Sequence, residues 1–160
     1  MADATPAYLH WLNDPRVNQF LESRFERWTL AKLKAFIRVS ERQGGSYLFL
    51  AIVLKDGQKH IGNVKVGPIN ERHHFAEVGI LIGEESAWGH GYGSEVVRLV
   101  SRYCFKKMGL RKLLAGIYAN NYGSLKAFKR AGFYQAARLK KHRFFKGRYV
   151  DEIIVEKIIK

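Results

Sequence analysis

Three alternate glycines in the middle of the chain constrain its fold more than any other feature. Gly89, Gly91 and Gly93 lie in the string Ala-Trp-Gly-His-Gly-Tyr-Gly-Ser-Glu at residues 87–95, and helix-forming sequence follows at once. Because glycine has no Cβ, backbone N–H groups can approach an anion there, and the free N–H groups and dipole of the following helix favour its charge. We therefore predict a phosphate-binding loop. A tight strand-to-helix connection without a ligand is the alternative explanation.

Two familiar phosphate loops do not fit this segment. The P-loop requires Lys and then Ser or Thr after its last glycine, whereas Ser94 and Glu95 follow here. The dinucleotide fingerprint has the spacing Gly-x-Gly-x-x-Gly near the start of a βαβ unit. This chain has Gly-x-Gly-x-Gly at mid-chain, so neither fingerprint describes it.

Length and composition indicate one globular domain over residues 1–160, since 160 residues that are 47% hydrophobic can form one core. The sequence has neither a run of about 20 apolar residues nor a signal-peptide pattern at its start, so we expect a cytoplasmic protein outside the membrane.

A single cysteine, Cys104, cannot form an internal disulfide. The six histidines show no ligand spacing, and we expect no metal site.

The charge of the chain is strongly positive and unevenly distributed. Twenty-eight Lys and Arg residues against 14 Asp and Glu residues leave a net charge of +14, and no carboxylate occurs between Glu95 and Asp151. Such a field attracts a phosphorylated cofactor, a nucleotide-linked substrate or RNA. A solvated basic surface that aids solubility would also account for most of these side chains.

Apolar periodicity predicts four helical segments. The first covers residues 9–20 and is interrupted at Asn13-Asp14-Pro15, where a second part is capped. The second begins after Thr29 and ends before Gly44-Gly45. Two more follow at residues 93–108 and 121–131, each stopped by a glycine. The buried face predicted for the third helix consists of Val96, Val97, Val100, Tyr103 and Cys104.

Runs of β-branched and aromatic residues predict six strands. The first two pair as a hairpin across the turn at residues 55–58, and the last two join near Lys146-Gly147. The predicted strands cover residues 47–54, 61–66, 75–82, 113–118, 133–142 and 144–158.

Two motifs follow consecutive predicted strands: Trp-Gly-His-Gly-Tyr-Gly at residues 88–93 and Asn-Tyr-Gly-Ser…Phe…Ala-Gly-Phe at residues 121–133. In this order of elements they resemble the GNAT superfamily of acyl-CoA-dependent N-acetyltransferases, from about Leu9 to the end. The sequence is most similar to the RimJ/RimL branch of ribosomal-protein N-terminal acetyltransferases, and amino-sugar and nucleotide-sugar acetyltransferases are also similar. The resemblance implies an α/β (α+β) fold with a mixed, mostly antiparallel twisted central sheet flanked by helices.

The resemblance also implies acetyl-CoA as the cofactor and assigns residues to it. The glycine segment would wrap the pyrophosphate, the third strand would run beside the pantetheine arm, and the helix after the fourth strand would approach the sulfur. Asn121 would alternatively do no more than cap that helix. The residues so implied are Val78, Ile80, Leu81, Ile82, His90, Gly91, Tyr92, Gly93, Ser94, Asn121, Ser124 and Phe128.

The chain departs from the family pattern in three places. Trp88 stands where members usually have Arg or Gln at the head of the glycine motif. Phe128 replaces the Tyr that many members use to protonate the departing thiolate, so that step cannot be transferred. Relatives also have a first strand before the segment that matches residues 9–20, and this chain has little sequence to form it.

Acetyl transfer to an amine requires a proton acceptor, a donor for the oxyanion and a proton for the sulfur. Glu77 is the candidate base, because it lies on the strand beside the expected thioester, at the same distance from the glycine motif as the catalytic glutamate of the similar histone-acetyltransferase branch. The alternative role of Glu77 is a salt bridge on the sheet.

A backbone N–H near residues 78–80 would donate to the oxyanion. Ser124, a water that Ser124 holds, or Tyr122 would supply the proton to the sulfur.

The expected acceptor is a primary amine on an anionic carrier, either a nucleotide-linked amino sugar or a protein N-terminus. The charge of the chain carries this expectation, because a strongly basic catalyst repels polycations and attracts phosphates. Two other functions remain open: a basic RNA-binding module and a catalytically inactive acyl-CoA sensor of the same fold.

Overall fold

The computed structural model describes residues 4–42 and 46–159. The predicted stop at Gly44-Gly45 therefore lies outside the described residues. Within these ranges the α-helices are α1 (Pro6–Asn13), α2 (Pro15–Asn18), α3 (Leu30–Arg42), α4 (Tyr92–Lys107) and α5 (Tyr122–Arg130). The strands are β1 (Leu48–Val53), β2 (His60–Asn70), β3 (Phe75–Ile82), β4 (Lys112–Tyr118), β5 (Tyr134–Phe145) and β6 (Arg148–Ile158).

The six strands form one sheet in the order β1-β2-β3-β4-β6-β5. Every neighbouring pair is antiparallel except β3 and β4, which are parallel. A parallel pair needs a crossover, and the segment that contains α4 provides it. The expected mixed, mostly antiparallel sheet flanked by helices is confirmed.

Strands β3 and β4 pair over a short distance only. Their ladder consists of three residue pairs and ends at Glu77 and Leu114. Residues 78–82 and 115–118, although still in extended conformation, are not paired with each other in the described structure. The sheet is therefore open at its centre, between the C-terminal halves of these two strands.

Each face of the sheet is covered by a different set of helices. On one face, α4 and α5 pack Val97, Cys104 and Phe128 against the sheet. On the other face, α1 and α3 pack Trp11 and Leu33 in a second apolar cluster. Fully burying a side chain such as Leu33 or Phe128 contributes about 2 kcal/mol. The two layers therefore hold the open sheet between them.

The helix boundaries follow local capping chemistry. The Asp14 carboxylate accepts the backbone N–H of Arg16 at 2.9 Å and begins α2, as predicted from the Asn13-Asp14-Pro15 string. The Thr29 hydroxyl oxygen accepts the N–H of Lys32 at 3.2 Å at the start of α3. Helices α4 and α5 are followed by Gly109 and Gly132, whose positive φ angles of 66° and 89° favour glycine.

The predicted buried face of α4 was wrong at one position. Tyr103 is 49% exposed, whereas Ser101 is buried at 1%. The packed stripe runs through Val97, Ser101 and Cys104, and a residue at position 103 points away from a stripe with this 3.6-residue period. Ser101 is tolerated inside because its hydroxyl donates to the Val97 carbonyl at 2.6 Å. Within the described residues, no helix is both long and apolar enough to span a bilayer.

Candidate active site

A cavity of about 800 Å³ lies where β3 and β4 separate. Both strands line it beyond their last pair, together with the glycine segment and α5 on one side of the sheet. On the other side it is lined by α1, α2 and the short 3-10 turn Glu22–Phe25. The cavity therefore connects the two faces of the sheet, so that two ligands can meet inside it from opposite directions.

The glycine segment begins α4 at the edge of this cavity. Gly91 is the N-cap of α4 with φ of 87°, and no side chain in the described part of the structure caps this helix. A Cβ added at Gly89 or Gly91 would meet no atom within 4 Å. The glycines are therefore required by backbone conformation rather than by crowding, and they leave helix N–H groups open to an anion.

Trp88 has a structural role at the head of this segment. Its indole Nε1 donates a 2.8 Å hydrogen bond to the carbonyl of Ile82, the last residue of β3. The bond fixes the glycine segment to the end of the strand. Trp88, which stands where the resemblance predicts Arg or Gln, thus helps to position the glycine segment.

All but one of the predicted cofactor residues line the cavity. His90 instead lines a small neighbouring pocket with Lys59 and Glu84, and its Nδ1 lies 2.9 Å from the Trp88 carbonyl. The cavity brings together the others, which are Val78, Ile80, Leu81, Ile82, Gly91, Tyr92, Gly93, Ser94, Asn121, Ser124 and Phe128.

The start of α5 places an amide and a hydroxyl at the cavity. Asn121 caps the helix, because its Oδ1 accepts the backbone N–H of Ser124 at 3.1 Å, and both residues also line the cavity. Phe128, one turn further, is 1% exposed and makes an edge contact with Phe133 at 5.0 Å between ring centroids. The position of the family tyrosine is therefore an apolar wall here.

Glu77 occupies the last position of β3 that pairs with β4, opposite Leu114, and its side chain is exposed. It shares the face of Gly79, which lines the cavity, but is not itself among the lining residues. No carboxylate–cation pair of Glu77 occurs among the described residues. The sheet salt bridge considered from the sequence is thus not formed with that part of the chain.

A hydrogen-bonded network that the sequence did not reveal lines the opposite side of the cavity. The Tyr118 hydroxyl donates to Oε1 of Glu22 at 2.7 Å, and Arg143 Nη1 lies 3.3 Å from the same oxygen. Arg143 Nη2 also donates at 2.6 Å to Glu152, which is 2% exposed. Burial, together with the bond to Glu22, raises the pKa of Tyr118. The phenol therefore stays protonated and acts as a donor.

Asn63 on β2 is a second residue that sequence reasoning missed. It is 3% exposed and lines the cavity, and neither its amide nitrogen nor its amide oxygen has a hydrogen-bond partner among the described residues. Its neighbour on the same face is Leu81 of β3, directly across the ladder. A polar residue inside the strand pattern Ile61-Gly-Asn-Val was the available sequence signal.

The charges along the cavity are mostly positive. Among its described lining residues, the cations Arg16, Lys65, Lys126 and Arg130 stand against the single carboxylate Glu22. Arg16 is neutralised by Asp14 at 2.7 Å and Glu85 at 3.0 Å. Lys65 lies over the Tyr47 ring at 4.3 Å and has no carboxylate within 4 Å in the described structure.

A cleft between two separating strands, with a glycine-capped helix beside it, is the arrangement expected of an acyl-CoA-dependent acetyltransferase. Comparison with protein families agrees with this class, since the family described as acetyltransferase (GNAT) domain matches residues 1–134. The chain belongs to this family, whose domain binds acetyl-CoA. The superfamily predicted from the two motifs is confirmed.

Two curated relatives carry N-acetyltransferase names. The uncharacterized N-acetyltransferase p20 of Bacillus licheniformis is 28% identical over 101 residues, which are 63% of this chain and 56% of the relative. The uncharacterized N-acetyltransferase YoaA of Bacillus subtilis is 28% identical over 97 residues, 61% of this chain and 54% of that protein. The aligned part thus spans about half the length of these relatives. The uncharacterized protein MJ1062 of Methanocaldococcus jannaschii is 39% identical over 75 residues, 47% of this chain but 15% of that protein.

Solved structures share the fold. The spermidine N-acetyltransferase from Vibrio cholerae, in complex with CoA and spermine, superposes with a TM-score of 0.84 over 94% of this chain and 87% of its own, at 19% identity. The GNAT-family acetyltransferase from Bacillus anthracis gives a TM-score of 0.79 over 95% and 87%, at 18% identity. At these identities the likeness concerns the fold and leaves the acceptor open.

Proposed function

We propose that this protein transfers the acetyl group of acetyl-CoA to a primary amine by direct attack within a ternary complex. The observation that carries the proposal is the cavity between β3 and β4, with the N-terminus of α4 at one edge. A cavity open to both faces of the sheet allows a cofactor on the α4 side and an acceptor on the α1 side.

The cofactor position follows from the groups that the open sheet leaves available. Beyond Glu77, the β4-facing edge of β3 has no strand partner, so its backbone groups can bind the amide groups of the pantetheine arm. The pyrophosphate would lie at residues 91–94, where no described side chain caps the N–H groups of the helix. Lys126 and Arg130 of α5 line the same side and add positive charge.

The chemistry requires one new bond and two proton movements. The neutral amine nitrogen bonds to the thioester carbonyl carbon, the carbon–sulfur bond breaks, and the new amide nitrogen loses a proton as the thiolate gains one. Glu77 accepts the first proton, directly or through water, and Ser124 or a water that it holds supplies the second. A backbone N–H of residues 78–80 stabilises the oxyanion.

The acceptor is a primary amine on an anionic carrier, either a nucleotide-linked amino sugar or a protein N-terminus as in the RimJ/RimL branch. The Vibrio cholerae neighbour is named for spermidine, a polycation. In the cavity of this chain the described lining cations outnumber the one carboxylate, Glu22, which already accepts the Tyr118 hydroxyl. A polyamine therefore meets mostly cations in the lining, with Glu77 as the one unpaired carboxylate beside the cavity among the described residues, whereas a phosphate finds Lys65.

The test combines cofactor binding with a screen of amines. Calorimetry should detect acetyl-CoA binding by the purified protein, and free-thiol release should report turnover with phosphorylated amino sugars, nucleotide-linked amino sugars, short peptides and spermidine. We expect turnover with an anionic amine or a peptide and little with spermidine. Binding without turnover on any amine would favour an acyl-CoA sensor, and a protein that does not bind acetyl-CoA would overturn the proposal.

A further inference from the structure

The acceptor side of the cavity contains one buried polar group that the fold itself does not use. Asn63 is 3% exposed, and both hydrogen-bonding atoms of its amide lack a partner in the described structure. Its partners across the sheet are apolar, with Leu81 directly opposite on β3 and Ala51 directly opposite on β1. An unpaired amide in such a place weakens folding, so its presence indicates a ligand.

Lys65 lies two residues further along β2, on the same face of the strand. Residues i and i+2 of a strand are separated by roughly 7 Å. Lys65 is directly opposite Gly79, which has no side chain to screen it, and both residues line the cavity. In the described residues no carboxylate neutralises Lys65, whereas the neighbouring cation Arg16 is paired twice.

We propose that Asn63 and Lys65 form the acceptor subsite for a phosphorylated amino sugar. The Asn63 amide binds a hydroxyl group next to the acceptor amine, since it can both donate to and accept from a hydroxyl. Lys65 binds the phosphate of the same sugar as a point charge. The inference rests on the proposed acetyl transfer and names the acceptor class for it.

A peptide N-terminus fits the same groups less well. Its first peptide bond could pair with the Asn63 amide, but it carries no anion for Lys65 unless an acidic side chain follows. A polyamine offers Asn63 only donors and is repelled by Lys65. Asn63 can both donate and accept a hydrogen bond, and Lys65 contacts the Tyr47 ring but no carboxylate in the described structure, so the two residues together favour the sugar phosphate.

The experiment compares two variants on a panel of matched amines. The probes are glucosamine 1-phosphate, glucosamine, cyclohexylamine and a tetrapeptide with a free N-terminus, each at saturating acetyl-CoA. The phosphate ratio is kcat/KM for glucosamine 1-phosphate divided by kcat/KM for glucosamine, and it measures phosphate recognition. The hydroxyl ratio is kcat/KM for glucosamine divided by kcat/KM for cyclohexylamine, and it measures hydroxyl recognition.

We expect Lys65→Met to reduce the phosphate ratio about tenfold or more and to leave the hydroxyl ratio unchanged. Asn63→Leu should reduce the hydroxyl ratio by a similar factor and leave the phosphate ratio unchanged. Lys107→Met is the control for net charge, because Lys107 lies in the last turn of α4 outside the cavity. It should change neither ratio.

Stability separates recognition from a structural role. Asn63→Leu should leave the Tm unchanged or raise it, since it removes an unpaired buried amide, whereas loss of a structural hydrogen bond would lower the Tm. Equal ratios in parent and variants, or preferred acetylation of the tetrapeptide, would overturn the subsite. A parent enzyme that acetylates another amine but none of the sugars would also overturn the subsite and would leave the proposed function intact. Failure to bind acetyl-CoA, or binding without turnover on any amine, would count against the proposed function itself.

Discussion

The hydroxyl of Tyr118 donates a 2.7 Å hydrogen bond to Oε1 of Glu22, although the two residues lie 96 positions apart. Tyr118 is the last residue of β4, and Glu22 begins the 3-10 turn that covers the acceptor side of the cavity. The bond therefore fastens the N-terminal layer to the strand that diverges from β3. Arg143, which reaches the same carboxylate at 3.3 Å, adds β5 to this contact.

Tyr118→Phe should lower the free energy of unfolding by about 1 kcal/mol, less than is usual for a bond to a charged partner because the Glu22 side chain is more than half exposed. Glu22→Gln should have a similar effect, and the double variant should lose less than the sum. Urea unfolding measures all three. Tyr122→Phe is the control, since Tyr122 is 76% exposed. A loss in Tyr118→Phe no larger than in this control would contradict the assignment.

Two arginine–carboxylate pairs in the β5–β6 hairpin differ in burial and should differ in their effect on stability. Arg143 pairs with Glu152, whose side chain is 3% exposed, and Arg138 pairs with Asp151, at 21%. Removing one partner of a buried pair costs about 3 kcal/mol or more when nothing else compensates the remaining charge. His142 Nε2 lies 3.3 Å from Glu152 and offsets part of that cost, and an exposed pair contributes at most about 1 kcal/mol. Arg143→Met should therefore lower the Tm far more than Arg138→Met. Equal shifts would show that Glu152 is stabilised by other groups.

Two glycine variants separate the effect of backbone strain on stability from its effect on acetyl-CoA binding. Gly91→Val should abolish or strongly weaken acetyl-CoA binding in calorimetry, because a β-branched residue disfavours φ of 87° at the N-cap of α4. Gly57→Val is the matched control: Gly57 also has positive φ and open space at its Cβ, but it lies in the β1–β2 turn. Gly57→Val should lose stability and keep affinity. Unchanged affinity in Gly91→Val would place the phosphates elsewhere.

Local signals in the sequence predicted most of the fold. Gly109 and Gly132 mark the ends of α4 and α5, and Asn121 caps α5, because these effects act within a turn of the backbone. The face of α4 was misjudged at Tyr103, since aromatic character alone does not determine which side of a helix packs. Of the cavity, the sequence predicted the residues that follow from the motifs, and these line it with the exception of His90.

Long-range contacts were beyond sequence reasoning. The separation of β3 from β4 after Glu77 depends on which strands pair and for how long, and that information lies in residues far apart in the chain. The Tyr118–Glu22 bond and the burial of Asn63 have the same origin. All three features depend on the packing of both helical layers against the sheet, which local sequence patterns do not determine.

Glu77→Gln tests the proposed base. At neutral pH it should lower kcat by about 10²-fold or more with little change in the affinity for acetyl-CoA, because Glu77 does not line the cavity that would hold the cofactor. Turnover should recover in part at high pH, where more of the acceptor amine is already neutral. Glu71→Gln, in the exposed link before β3, is the control. Unchanged turnover in Glu77→Gln would make solvent the base.

The positive charge of the protein should affect the rate at which the acceptor reaches the site. A chain of net charge +14, with no carboxylate between Glu95 and Asp151, creates a field that accelerates the approach of anions, and salt screens exposed charges beyond about 8 Å at physiological ionic strength. At saturating acetyl-CoA, kcat/KM for a phosphorylated amine should therefore fall as sodium chloride is raised from 20 to 300 mM, a range of about 1.2 decades in ionic strength. Glucosamine, which is cationic and carries no phosphate, is the comparison, and its kcat/KM should rise with salt as repulsion is screened. Opposite salt slopes for the two sugars would establish steering by charge. Efficient acetylation of spermidine that does not depend on salt would rule it out.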